Sequence, residues 1–268
     1  MATLSAHALL AVTILYSGIV GLAIGSFLNV VIYRVPRSLS VIRPRSSCPG
    51  CSTPIASRDN IPLLSWLLLG GKCRTCATSI SVRYPLVELG TGVLFGATAW
   101  RLGPHWSLGA FLVANASLLA LAAIDLEHLL LPKNIIYPTL GAVLLWLTAT
   151  AACTHHWHRL AIAALCSLLW GVLFFMLNFV APKVLGFGDV RLAYLLGLLL
   201  GWCSIGSVLL GFFLANLIGA IVGLLLIVTG KLNRKQPVPY GVFLNSGYLV
   251  VFLFGRELLS LFPHVSFN

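Results

Sequence analysis

Acidic residues are scarce: six Asp and Glu stand among 268 residues, and charged side chains make up only 9% of the chain. A water-soluble domain carries about 25% charged residues. With 59% of the chain apolar, a water-facing globule is excluded and lipid must be the solvent. Basic residues are also missing from the start, since no Lys or Arg precedes Arg34. That lack excludes the charged n-region of a cleaved signal, and the apolar run over 7–33 is too long for one. It reads as a membrane helix. The net charge of +11 does not mark a nucleic-acid binder, because the basic residues fall in loops between apolar runs.

Runs long enough to span occur near 7–33, 85–101, 107–127, 134–152, 159–180, 189–203, 205–229 and 241–262. About 20 apolar residues cross the hydrocarbon core, so the expectation is an all-α polytopic protein of about eight helices. The weakest run, 189–203, meets the next at Gly201-Trp202. Basic loops face the cytoplasm. With the N-terminus outside, fourteen basic residues fall inside: Arg34, Arg37, Arg43, Arg45, Arg58, Lys72, Arg74, Arg83, Lys133, Lys183, Arg191, Lys231, Arg234 and Lys235. Only Arg101, Arg159 and Arg256 fall elsewhere. The expected division is a first helix over 1–33, a cytoplasmic loop domain over 34–84, and a membrane domain over 85–268.

That loop carries Cys48-Pro-Gly-Cys51 and Cys73-Arg-Thr-Cys76, with 21 residues between the pairs. Two C-x-x-C turns at such a separation form a tetrahedral four-cysteine zinc site with no open position, so the metal is structural. A disulfide or redox pair is the weaker reading in a reducing compartment. About fifty residues build little core, and a metal staple supplies what burial cannot. Cys153, Cys166 and Cys203 lack ligand spacing and read as small apolar fillers.

Two of the six acids sit at the ends of long apolar runs: Asp125, in Asp125-Leu-Glu-His128 before Pro132, ends one, and Asp189, in Gly186-Phe-Gly-Asp189, begins another. A carboxylate at membrane depth is costly and marks function. In the eight-helix topology both fall at the cytoplasmic face. Two carboxylates there suit hydrolysis of a peptide bond: one takes a proton from water, and the other hydrogen-bonds the scissile carbonyl. Gly186 and Gly188 let a backbone approach closely. Blander readings stand beside this one. Asp189 fits a helix N-cap, and Asp125 fits a buried pair with Lys133. Glu127 points to the opposite helix face, and His128 shares the face of Asp125 or is an interface polar residue. Glu88 fits an ion pair with Arg83. The His155-His156-x-His158 tract reads as a solvated turn. A proton or cation transporter using the two aspartates as a relay is the competing class.

Taken together, several stretches resemble the type IV prepilin peptidases, the leader peptidases and N-methyltransferases of pilus and type II secretion systems. They are Gly25-Ser-Phe-Leu-Asn-Val-Val-Ile-Tyr-Arg34, the two cysteine pairs, Asp59-Asn-Ile-Pro62 with Leu64-Ser-Trp66, Arg83-Tyr-Pro-Leu-Val-Glu88, Asp125-Leu-Glu-His128, Gly186-Phe-Gly-Asp189-Val-Arg-Leu192 and Pro239-Tyr-Gly241. The resemblance implies an inner-membrane enzyme that cuts the leader of a prepilin or pseudopilin after a glycine. It also implies methylation of the new N-terminus, often Phe or Met, with S-adenosylmethionine. Asp125 and Asp189 match the family's catalytic aspartates, and Cys48, Cys51, Cys73 and Cys76 its zinc ligands. Glu88 is a candidate polar contact for the methyl donor. Glu127, Lys133 and the Val after Pro239-Tyr-Gly241 depart from the usual pattern, and a peptidase without methylation is the alternative within the family.

Overall fold

The computed structural model describes residues 2–182, 185–230 and 238–260. Of the basic residues used to orient the chain, Lys183, Lys231, Arg234 and Lys235 lie outside this set. Among the described residues there are nine α-helices: α1 (Ala2–Arg34), α2 (Leu64–Leu68), α3 (Arg83–Leu102), α4 (Leu108–His128), α5 (Lys133–Thr154), α6 (Trp157–Val180), α7 (Phe187–Cys203), α8 (Ile205–Val228) and α9 (Tyr240–Ser260). Among the described residues each of the eight long runs of the sequence falls on a helix, and no β-strand forms. Six helices are long and apolar enough to cross a membrane: α1, α4, α5, α6, α8 and α9. The other two fall short for different reasons. α3 carries Arg83, Glu88 and Arg101, and α7 has only 17 residues. The break after α7 falls at Ser204, between the runs 189–203 and 205–229, and Gly201-Trp202 lies inside α7. The Ser204 hydroxyl accepts the amide of Ser207 at 3.0 Å, an N-cap that starts α8.

The chain divides into two compact units, one ending at Leu108 and the other beginning at Gly109. In the first, α1 packs along α3 with the cysteine loop between them in sequence. Small residues set this packing. A Cβ on Gly25 would lie 2.7 Å from the Glu88 Cα, and one on Gly21 would lie 2.7 Å from the Thr91 carbonyl. Helices in lipid gain from such close backbone approach, because solvent offers no hydrophobic drive between them.

In the second unit α7 is the central helix. It packs against α5, α6, α8 and α9 and is buried nearly all round. A helix that is apolar on every face belongs in such a core. α4 is tied to its neighbours by polar contacts. Tyr248 donates to Asn115 Oδ1 at 2.9 Å, Asn245 donates to the Leu118 carbonyl at 3.2 Å, and Thr139 donates to the Ser117 hydroxyl at 2.8 Å. The Phe111 and Phe252 rings stack 4.8 Å apart. His155 and His156 form the exposed turn between α5 and α6, while His158, the third histidine of that tract, stands exposed in the first turn of α6.

Candidate active site

The end of α4 and the start of α7 each present a buried aspartate, with Asp125 5% and Asp189 8% exposed. Asp189 is not the N-cap that the sequence allowed. Gly186 caps α7, and Asp189 stands in its first turn. The Asp189 amide donates to the Gly186 carbonyl at 3.1 Å, and the Gly186 amide donates back to Asp189 Oδ2 at 3.0 Å. This reciprocal pair fixes the carboxylate at the positive end of the helix dipole.

Asp125 faces a dipole of the wrong sign at the end of its own helix. The structure resolves the conflict with another helix. Val242, in the first turn of α9, donates its amide to Asp125 Oδ2 at 3.2 Å. Each aspartate therefore sits at a helix N-terminus, Asp189 at its own and Asp125 at that of α9. Lys133, the alternative partner, is exposed at the start of α5 and makes no ion pair with Asp125 among the described residues.

One side chain joins the two positions. Leu131 lies where a Cβ on Gly188 would meet its own Cβ at 2.7 Å, and where a Cβ on Gly241 would meet its Cδ1 at 3.0 Å. The same Cβ on Gly241 would lie 2.8 Å from Asp125 Oδ2. The two carboxylates are close enough for the charge of Asp125 to act on Asp189, and Tyr240 in turn feels Asp189. The Tyr240 hydroxyl donates to Asn216 Oδ1 at 3.1 Å. The Gly186 and Val242 amides both meet Oδ2 of their aspartate, and the backbone amides of Gly241 and of Asp189 itself lie beside the same two carboxyls. His128 does not orient Asp125; it stands 3.8 Å from the exposed Glu127.

The cysteine loop folds into two matching turns. Cys48 donates its amide to the Thr53 carbonyl at 3.0 Å, and Cys73 to that of Thr78 at 2.8 Å. Ser52 and Ala77, each following the second cysteine, have φ of 57° and 56°. The Thr53 hydroxyl lies 3.3 Å from Cys51 Sγ, and that of Thr78 lies 3.1 Å from Cys76 Sγ. The common pattern is Cys-x-x-Cys-x-Thr, a repeat visible in the sequence beyond the cysteines themselves.

All four sulfurs lie within 4.8 Å of one another, and Cys48 Sγ is 3.6 Å from Cys76 Sγ. Zinc–sulfur bonds of about 2.3 Å in a tetrahedron set sulfurs about 3.8 Å apart, so the group fits a metal ion. Cysteines here are free thiols, not disulfides. Three are acidified: Cys51 chiefly by the Thr53 hydroxyl, Cys73 by the Cys76 amide and Cys76 by the Thr78 hydroxyl. Amides of Cys51 and Gly50 also favour the Cys48 thiolate, yet burial and the Cys73 and Cys76 sulfurs carry it up to about 11. A divalent cation at the centre relieves the repulsion among four thiolates.

Glu88, paired by the sequence with Arg83, has the loop backbone as a partner: its Oε2 accepts the Leu63 amide at 2.8 Å.

The type IV leader peptidase family model matches residues 112–228, and that of the bacterial peptidase A24 N-terminal domain matches 19–102. A prepilin leader peptidase/N-methyltransferase of Stutzerimonas stutzeri is 33% identical over 267 residues, covering 90% of this chain and 91% of its own. The chain belongs to the type IV leader peptidase family. Proteins of the same name from Pseudomonas aeruginosa and Aeromonas hydrophila are 34% and 36% identical, covering 90% and 88% of this chain and 90% and 89% of their own. No solved structure matches it. The two matched regions of the family fall on either side of the boundary between Leu108 and Gly109, so each compact unit carries one of them. The family also accounts for a multi-pass membrane protein with six helices fit to span.

Proposed function

We propose that this enzyme cleaves the leader of a type IV prepilin or pseudopilin and methylates the new N-terminus with S-adenosylmethionine. The relatives' names support both activities. The observation that carries the peptidase reading is the pair of buried aspartates at the end of α4 and the start of α7, each held through Oδ2 by a backbone amide at a helix N-terminus.

In this reading the two carboxyls serve a water and a scissile carbonyl. One aspartate, ionised, takes a proton from the water as it attacks the carbonyl carbon. The other, protonated, donates to the carbonyl oxygen. Collapse of the tetrahedral species returns a proton to the leaving amine. The acid and base roles require one proton shared by the two carboxyls, and such a couple titrates as a unit. Gly188 and Gly241 leave room for Leu131, and Gly241 also for the Asp125 carboxylate, which keeps the site's own side chains in place.

Our reading of the topology places eight spans in a bacterial inner membrane, with the N-terminus outside and the aspartates and cysteine loop at the cytoplasmic face. The bias of Lys and Arg supports it. The metal held by Cys48, Cys51, Cys73 and Cys76 is zinc, and with four sulfur ligands it organises the loop without touching substrate. S-adenosylmethionine supplies the methyl group, and Glu88 is the polar contact we assign to that chemistry.

The test is incubation of the purified protein with a model prepilin, with and without S-adenosylmethionine, read by intact mass. Loss of the leader in both arms, with one added methyl only when the donor is present, is the expected result. An uncut prepilin overturns the peptidase reading. A cut but unmethylated product overturns the second activity alone.

A further inference from the structure

The first unit holds a polar cluster that peptide hydrolysis does not use. Asn29 on α1 is 2% exposed. Its Nδ2 donates to the Tyr84 carbonyl at 3.1 Å and to that of Gly25 at 3.3 Å. Its Oδ1 is buried and accepts nothing. Native folds keep such unpaired acceptors rare, and each one calls for an explanation.

Glu88 lies opposite on α3 and is 8% exposed. Asn29 meets Tyr84, while Gly25 meets Glu88, so the two helices run antiparallel here. Helical side chains lean toward the N-terminus of their own helix. Asn29 therefore leans back toward the level of Gly25, and Glu88 leans toward the level of Tyr84. Both side chains lean into the same stretch of the α1–α3 seam, where Glu88 Oε2 holds the amide of Leu63, a bulky residue with an unusual φ of 60°. Asn29 Oδ1 is thus a buried acceptor without a donor, and the Leu63 amide takes only Oε2 of Glu88.

A neutral amide oxygen on α1 and a carboxylate on the facing turns of α3 suit a positively charged group with several N–H bonds. We propose that Asn29 and Glu88 form a receptor for a primary ammonium on the methyl-transfer path. This inference rests on the methyltransferase reading above. The ammonium has two sources: the α-amino group freed by cleavage, or the amino-acid end of S-adenosylmethionine. In the first case the bound ammonium gives one proton to Glu88. Its lone pair then takes the methyl carbon as the carbon–sulfur bond breaks, with that bond's electrons left on sulfur.

The variants are Glu88→Gln, whose side-chain oxygen still accepts the Leu63 amide, and Asn29→Leu. The probes are an apolar pilin-type peptide led by Phe with a free N-terminus, its N-acetylated twin, and S-adenosylmethionine alone, each titrated onto the full-length protein in detergent. Leader cleavage and metal content report that the variants are folded. The expected result is that wild type prefers the free-amine peptide to its acetylated twin. Both variants lose at least tenfold of that affinity, cleave normally and leave the product unmethylated. If peptide binding holds and S-adenosylmethionine binding falls tenfold instead, the ammonium held is that of the donor. Wild-type affinity of both variants for all three probes, with methylation intact, overturns the proposal and leaves Glu88 as a brace for Leu63. A wild-type enzyme that cleaves but neither binds S-adenosylmethionine nor methylates defeats the underlying reading instead. The comparison of free and acetylated peptide still decides the ammonium site in that event.

Discussion

The amide of Val242 donates to Oδ2 of Asp125 at 3.2 Å, linking the start of α9 to the end of α4 across 117 residues of sequence. The neighbouring Gly241 leaves the space that this contact needs, because any Cβ there would stand 2.8 Å from the same oxygen. Gly241→Ala should therefore displace the carboxylate or Leu131 while leaving the helices intact. The expected effect is at least a tenfold loss of cleavage rate, about 1.4 kcal/mol in the barrier. Kinetics on a model prepilin, beside a thermal melt close to wild type, check it.

Packing of α1 on α3 makes a separate prediction. A Cβ at Gly25 meets backbone, the Cα of Glu88, which has no rotamer to give. Gly25→Val should cost about 1–3 kcal/mol through overpacking. Lower yield of folded protein and a depressed melting temperature are the readouts. A melt identical to wild type would show that the helices slide apart without cost.

The cysteine turns predict what metal removal does. Replacing Cys73 by Ser, or stripping the ion with a strong chelator, should expose the loop to protease. Methylation should fall more than leader cleavage, since the aspartates belong to the other compact unit. Elemental analysis should give one zinc per chain before treatment. Equal loss of both activities would contradict the separation.

Asp59 and Arg74 make a pH-dependent link within the loop. The guanidinium donates to both carboxylate oxygens at 2.6 to 3.1 Å, and these hydrogen bonds hold Asp59 below its ordinary value. A carboxylate lowered by folding stabilises the fold above its unfolded value, about 4, and the gain is lost as pH falls through the lower folded value. Wild type should resist loop proteolysis better than Asp59→Asn near neutral pH, and the gap should close in acid. A gap that persists at low pH would assign the effect to something other than the ion pair.

Much of this is legible in the chain itself. The Cys-x-x-Cys pairs carry their own geometry, because each turn is local and needs no distant partner. Helices are legible for the same reason, since apolar length is a local property. Asp125 is legible as an anomaly, a carboxylate at the wrong end of a dipole, but its compensation by Val242 is not. That contact depends on how α4 and α9 pack, and no spacing rule reaches across such a separation. The role of Leu131 is hidden likewise: only in three dimensions does an ordinary leucine beside Pro132 fill the space that Gly188 and Gly241 leave. Gly-x-Gly-Asp suits a cap at either Gly186 or Asp189, so the pattern alone does not decide where α7 begins. Thr53 and Thr78 are in plain view, and the repeated Cys-x-x-Cys-x-Thr spacing is the signal that finds them.

The central claim is that Asp125 and Asp189 together hydrolyse the leader peptide bond. Its most direct test is the rate of prepilin cleavage by Asp125→Asn and by Asp189→Asn, each purified with unchanged metal content and monitored by intact mass. The account predicts that either change lowers the rate by at least about a hundredfold, as befits loss of a general acid or base. Near-normal cleavage by either single variant would contradict it.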